Sequence, residues 1–325
     1  MNLSTILKGI AMGIAEIIPG VSGGTIAFIT GIYERLLNAI KSWNPKNLKL
    51  LFKGEFKTFW TNIDGIFLTN LFSGIIVGMV SGVFTITYLM DHYIEPLYGF
   101  FFGLIIASVV LVVRQVTKWD LIRVLLLIAG TVFAILVISI NPVEGNTAYW
   151  FVFVSGTIAI SALMMPGISG SFMLLIMGMY GIIIPTFKSL LIAPTMDNVI
   201  LIGVFGLGLI TGLLTFSRVL SWTFSKFHQS TLVVLTGFMV GSLYKIWPWR
   251  VPSSWMNKLN NTIETELSLL QNLDKHDYSI ISEKMVLPQD YILGEPKTII
   301  TIICLVFGFL LVWLLDRWLG KNLKL

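Results

Sequence analysis

Apolar residues in this chain fall into runs of two lengths, and the difference between them predicts the architecture. A helix needs about 20 apolar residues to cross the roughly 30 Å hydrocarbon core of a bilayer. Six runs reach or approach that length: about Gly65–Met90, Leu97–Val113, Leu121–Ile140, Val199–Phe224, Thr231–Ile246 and Thr298–Leu315. Leu3–Ile18 and Thr25–Ile40 are shorter, about 16 residues or roughly 24 Å each, and Pro19-Gly20-Val21-Ser22-Gly23-Gly24 lies between them. Neither spans comfortably alone. As a pair they predict a re-entrant hairpin that enters halfway, turns and leaves on the side it came from. Tyr149–Met165 and Phe172–Phe187 predict a second one. Non-helical backbone at that depth is tolerated only under a cover of protein or beside a wet cavity, so both turns are expected inside the bundle. Lys41–Asp64 reads as a polar linker and Asn141–Thr147 as a turn.

The two hairpins share more than length. Pro19-Gly20-Val21-Ser22-Gly23-Gly24-Thr25 recurs 147 positions later as Pro166-Gly167-Ile168-Ser169-Gly170-Ser171. Each copy is followed by an apolar run closing in Gly-x-Tyr, at Gly31-Ile32-Tyr33 and at Gly178-Met179-Tyr180. Further along, Gly74-x-x-x-Gly78 answers Gly208-x-x-x-Gly212, and Gly103 with Ala107-Ser108 answers Gly237 with Gly241-Ser242, all at a spacing of 134. Small residues so spaced mark close helix packing. The expected fold is thus an all-α integral membrane protein of two repeats, each a re-entrant hairpin plus three transmembrane helices. The first repeat is 1–147 (hairpin 3–40, linker 41–64) and the second 148–325 (hairpin 149–187, loop 247–297). Three crossings per half put the second hairpin on the opposite face. That makes the repeats inverted, an architecture common among secondary transporters.

Composition and charge agree. Of 325 residues 55% are hydrophobic and only 12% charged, about half the charged fraction of a soluble domain. Met1–Gly9 carries one lysine and no small-residue cleavage site comes after it, so the N-terminus is expected to be retained. Lys8, Arg35, the five linker lysines, Arg114, Lys118, Arg123, Arg218, Lys226, Arg317, Lys321 and Lys324 fall on the side of the N-terminus. Most of the remaining cations belong to the long 247–297 loop, which weighs less in the positive-inside rule. Both termini are therefore expected in the cytoplasm. Within 247–297, Leu259, Ile263, Leu267 and Leu270 lie at helical spacing behind Ser253-Ser254, a possible cap. That pattern predicts a helix covering the outer surface or acting as a lid over a groove for lipid. The lone Cys304 excludes an intrachain disulfide.

Candidate chemistry concentrates at the two turns. Gly20, Gly23, Gly24, Gly167 and Gly170 let backbone approach a ligand closely, and Pro19 and Pro166 break the helices. Ser22, Thr25, Ser169 and Ser171 add hydroxyls to the N–H groups of the helix starts. Such nests suit phosphate or carboxylate; the competing role for these residues is tight packing and capping. Glu16 is the one carboxylate embedded in the first hairpin, with Leu163 as its counterpart. Intramembrane carboxylates are costly and default to functional candidates, here for proton or sodium coupling. Arg218 is either a phosphate counter-charge or a snorkelling side chain. His92, His228 and His276 lack metal-ligand spacing, and no P-loop is present. No metal, no cofactor and no nucleic-acid partner is expected. The aromatics of Tyr244–Trp249 read as an interfacial belt.

The first turn with Gly31-Ile32-Tyr33-Glu34, together with Trp247-Pro248-Trp249, resembles the bacterial polyprenyl-phosphate transporter family, long catalogued as a domain of unknown function. The resemblance covers essentially the whole chain. It implies flipping of undecaprenyl phosphate from the outer to the cytoplasmic leaflet of the bacterial inner membrane, recycling the carrier lipid for cell-wall synthesis. Family members often carry Asp where this chain has Glu16. The second turn is also similar to the motif of undecaprenyl-pyrophosphate phosphatases. Those enzymes carry an Arg after the motif serine, where Gly170 stands here, and a His after the first-repeat serines, where Gly23-Gly24-Thr25 offers none. A nucleophile with neither base nor cationic clamp is weak, so headgroup binding survives this comparison and hydrolysis does not. A membrane phosphatase and a small-anion transporter remain the alternatives.

Overall fold

The computed structural model describes residues 2–18, 21–140, 142–257, 262–265 and 278–320. The helix breakers Pro19 and Gly20, and the helically spaced Leu259, Leu267 and Leu270, lie outside these. The chain is a multi-pass, mainly helical membrane protein. The helices α6 (Gly65–His92), α7 (Ile94–Gln115), α8 (Leu121–Ile138) and α12 (Met196–Ser242) are long and apolar enough to cross a bilayer. Helix α12 merges two predicted spans: Phe227 has non-helical backbone (φ −134°, ψ 46°) and divides it. The part before Phe227 packs on α9 (Tyr149–Met164) and the part after it on α8. Helix α13 (Thr298–Gly320) closes the bundle against α7.

Each short run is broken once more than its hydrophobicity predicts. The first comprises α1 (Leu3–Ile17), α2 (Gly23–Ile29) and α3 (Tyr33–Lys41). The second comprises α9, α10 (Gly170–Ile176) and α11 (Tyr180–Ile192), with a 110° bend between α10 and α11. The extra breaks fall at Gly31 (φ +70°) and Gly178 (φ +66°), a backbone region that residues with a Cβ enter only at a cost. The Gly-x-Tyr that closes each sequence copy is therefore a second turn, not the end of a helix.

Small residues set which helices touch. Helix α1 runs alongside α6 in the same direction. Gly9 meets Leu71 and Gly74, Gly78 meets Ile10, and Gly82 meets Ile14 and Ile17. Helix α9 lies on the first part of α12 in the same manner, with Gly208 against Phe153 and Gly212 against Thr157 and Ile160. Gly103 of α7 packs on Leu305 of α13, and Gly237 of α12 on Leu127 and Thr131 of α8. Backbones this close gain dispersion contacts that larger side chains would block. Because α1 ends level with Gly82, the first turn lies well inside the span of α6.

Two features outside the bundle differ from expectation. The linker 41–64 is not featureless but folds into α4 (Pro45–Phe52), capped by Asn44, and α5 (Phe56–Asn62). The helix expected after Ser253-Ser254 is instead a three-stranded antiparallel sheet, order β2-β1-β3: β1 (Arg250–Asn257), β2 (Thr262–Glu264) and β3 (Tyr278–Met285). Of the helically spaced Leu259, Ile263, Leu267 and Leu270, Ile263 is the one among the described residues and it lies on β2. Pro252 and the β-prone Val251 and Trp255, both buried, favour strand on β1. The segment between the sheet and α13 is fastened to the bundle at the start of α7. Buried Glu95 accepts a hydrogen bond from Tyr291 Oη (2.8 Å) and pairs with Lys297 Nζ (3.3 Å), which also donates to the His92 carbonyl. Burial and the bond to Glu95 hold the Tyr291 phenol above its usual pKa, so it remains a donor throughout the physiological range. Helices α4 and α5 sit at the opposite end of α6, where Arg35 forms a bidentate pair with Asp64.

Candidate functional site

The two serine turns meet in the interior. Ser22 caps α2 from an extended backbone, and its Oγ accepts from the Gly24 N–H at 3.1 Å. The same hydroxyl donates to the Leu163 carbonyl at 3.2 Å. Tyr33 Oη donates to the Met164 carbonyl at 2.6 Å. Leu163 and Met164 end α9, where carbonyls have no intrahelical partner, so two hydroxyls of the first hairpin cap a helix of the second. Thr25 Oγ1 in turn accepts from the Gly167 N–H at 2.9 Å. Gly167 has φ +85°, and the Phe238 carbonyl stands 2.6 Å from where a Cβ would be. The turns thus interlock across about 140 residues of sequence.

The copies differ in what they leave accessible. In the first, the Gly23 N–H donates to Glu16 Oε1 at 2.6 Å. The carboxylate and the Ser22 hydroxyl therefore take the donors at the start of α2. Ser22 and Thr25 are each 1% exposed. In the second, Ser169 makes no capping bond to α10; its Oγ lies 2.9 Å from Ser171 Oγ. Ser169 is 8% exposed and Ser171 faces outward. With Leu163 in the place of Glu16, the second turn carries no internal carboxylate. Of the predicted group, the structure brings Glu16, Ser22, Gly23, Gly24, Thr25 and Gly167 into one bonded unit; Ser169 and Ser171 form its open side, while Gly170 is buried against α9. Arg218 stands apart, donating to the carbonyls of Leu214 (2.9 Å) and Trp43 (3.3 Å).

Cavities lie at both ends of the bundle. Near α4 and α5, a small one of about 180 Å³ is lined by Glu34, Asn38, Lys41 and Ser221. There Lys41 Nζ donates to Ser221 Oγ, which donates to Asn38 Oδ1. At the sheet end a cavity of about 510 Å³ has Phe172 and Leu175 of α10 in its wall, and Lys245, Arg250 and Glu283 among its polar groups. Sequence reasoning saw only an aromatic belt there. The signal it passed over was a cation inside that belt, Lys245, and another directly after it, Arg250. Tyr33 was visible as a motif residue, but its carbonyl partner was not.

A family model described as undecaprenyl phosphate translocase-like matches residues 12–263, which include both turns. The chain belongs to that family. Among relatives of this translocase-like chain is a polyprenyl-phosphate transporter of Vibrio cholerae, 41% identical over 282 residues, covering 87% of this chain and 89% of the relative. A polyprenyl-phosphate transporter of Staphylococcus aureus is 30% identical over 255 residues, covering 75% and 85% respectively. No solved structure matches it.

Proposed function

We propose that the chain is a flippase for polyprenyl phosphate, carrying undecaprenyl phosphate from the outer to the cytoplasmic leaflet of the bacterial inner membrane so that the carrier is reused in cell-wall synthesis. The observation that carries this reading is the interlocked pair of serine turns with one open face, in a chain whose relatives are polyprenyl-phosphate transporters. A phosphate dianion does not cross hydrocarbon unpaired, whereas a polyprenyl tail stays in lipid. The protein has only to shelter the headgroup, with Ser169 and Ser171 as hydroxyl partners and the backbone N–H groups beside them. Inverted repeats with re-entrant hairpins are supported by the parallel packing of α1 on α6 and of α9 on α12, on glycines that recur at the sequence spacing. The sheet is then extracytoplasmic, and α4, α5 and both termini are cytoplasmic. Hydrolysis is not part of the proposal: Ser169 faces another hydroxyl, not a base.

Glu16 is the coupling residue in this scheme, through a proton or sodium. Its neutralisation replaces the charge-assisted bond to the Gly23 N–H at the start of α2 with a weaker neutral one. In Glu16→Gln the amide oxygen still accepts from Gly23, so the fold persists while the titratable charge is gone. Leaflet-resolved measurement of polyprenyl phosphate in proteoliposomes tests both assignments. Ser169→Ala is expected to slow translocation at least tenfold. Glu16→Gln is expected to abolish its response to an imposed proton or sodium gradient. Wild-type flux in both variants would remove the site from the turns, and inorganic phosphate release from the pyrophosphate lipid would restore the phosphatase reading.

A further inference from the structure

The cavity at the sheet end contains a charge cluster that no role has yet absorbed. Arg250 Nη1 lies 2.7 Å and Lys245 Nζ 3.3 Å from the same oxygen, Glu283 Oε2. Two cations thus share one carboxylate oxygen, and the cluster carries an excess positive charge. Its members are held in place. The Arg250 side chain is 9% exposed, its Nε donates to the Trp247 carbonyl at 3.1 Å, and its guanidinium lies 4.7 Å from the Tyr98 ring centroid. Lys245 Nζ lies 5.2 Å from the ring centroid of Phe172, the residue next to Ser171. The remaining walls are largely apolar, with Ile94, Ile138, Phe172 and Leu175 among them. A pocket with fixed cations at one place and hydrocarbon around them matches an amphiphile with an anionic head, and a guanidinium beside an ammonium suits an oxyanion such as a phosphate or a carboxylate.

We infer that Lys245, Arg250 and Glu283 form a receiving station for a phosphate monoester headgroup on an isoprenoid chain, separate from the serine turns, with Glu283 standing in for the phosphate while the station is empty. This assignment rests on the proposed transport of polyprenyl phosphate and adds the place where the lipid is first held. Arriving phosphate takes over the two cations, and Glu283 then competes with it and favours its release toward Ser169 and Ser171. β3, which supplies Glu283 and Met285 to the cavity, makes the sheet the outer wall of the station.

Equilibrium binding of geranyl phosphate to the purified full chain in detergent, read by tryptophan fluorescence, tests it without requiring transport. Arg250→Gln and Lys245→Gln are each expected to weaken binding at least tenfold. Glu283→Gln is expected to retain or tighten it severalfold. If the triad were only a strap holding the sheet, Glu283→Gln would weaken binding as the cation variants do, and that result overturns the station. Unchanged affinity in the two cation variants overturns it as well. Geraniol should fail to compete, and inorganic phosphate should compete at least tenfold more weakly than geranyl phosphate. Equal competition by inorganic phosphate would assign the site to a free anion and reject the lipid. The transport reading fails separately, through absence of wild-type flux in proteoliposomes, and such a failure leaves the binding result legible by itself.

Discussion

Gly167→Ala should cost the protein both its stability and its transport. Gly167 is held at φ +85°, and its Cβ position lies 2.6 Å from the Phe238 carbonyl and 2.8 Å from the carbon that bears it. An L-residue in the left-handed region costs about 1–2 kcal/mol, and forcing extra volume into a packed site adds about 1–3 kcal/mol. Neither cost can be relieved locally, because the obstructing atoms are backbone of α12. The shift required would also pull the Gly167 N–H away from Thr25. The expected result is a lower thermal denaturation midpoint in detergent and loss of translocation in vesicles. Gly181→Ala is the control: it lies in α11 with nothing within 4 Å of its Cβ position, and should match wild type in both assays. Wild-type stability and flux in Gly167→Ala would show that the second turn does not need this backbone geometry.

Thr25→Val removes a single oxygen and nearly nothing else. The Gly167 N–H then has no acceptor in a buried position, and an unpaired backbone donor costs about 1–3 kcal/mol; in a membrane interior no bulk water is at hand to replace the lost partner. The two hairpins would keep the Ser22–Leu163 and Tyr33–Met164 bonds but lose the one that fixes the second turn. Translocation is expected to fall at least tenfold in Thr25→Val and to recover in Thr25→Ser, which restores the oxygen. The serine rescue separates the hydrogen bond from the shape of the side chain. Equal activity in the valine and serine variants would mean that the interlock does not position the second turn.

Much of this was legible in the sequence, and the residues show why. The spans predicted near Gly65, Leu97 and Leu121 begin within about three residues of α6, α7 and α8, because hydropathy alone decides which segments enter a bilayer. The 134-residue spacing of glycines marked true contact faces, since only small residues allow such close backbones. The same reasoning failed at Gly31 and Gly178, where an apolar run continues through a turn and hydropathy registers no change. It failed again at 253–257 and 262–264, which are strand, because the helical spacing was read without weighing Pro252 and the β-branched and aromatic positions around it.

What the amino-acid order determined by itself was the solvent each segment prefers, the repeated spacing of small residues, and the presence of two Pro-Gly-x-Ser motifs. These arise from properties that each residue carries wherever it sits. The tertiary structure decided which hydroxyls of those turns remain available. It spent Ser22 and Thr25 on the backbone of the other hairpin, assigned the Glu16 carboxylate to Gly23, and left Ser169 and Ser171 on the open side. It also gathered Lys245, Arg250 and Glu283 around one oxygen. A hydrogen bond or ion pair depends on a few tenths of an ångström between groups up to 140 residues apart, and such distances come into being only when the helices pack.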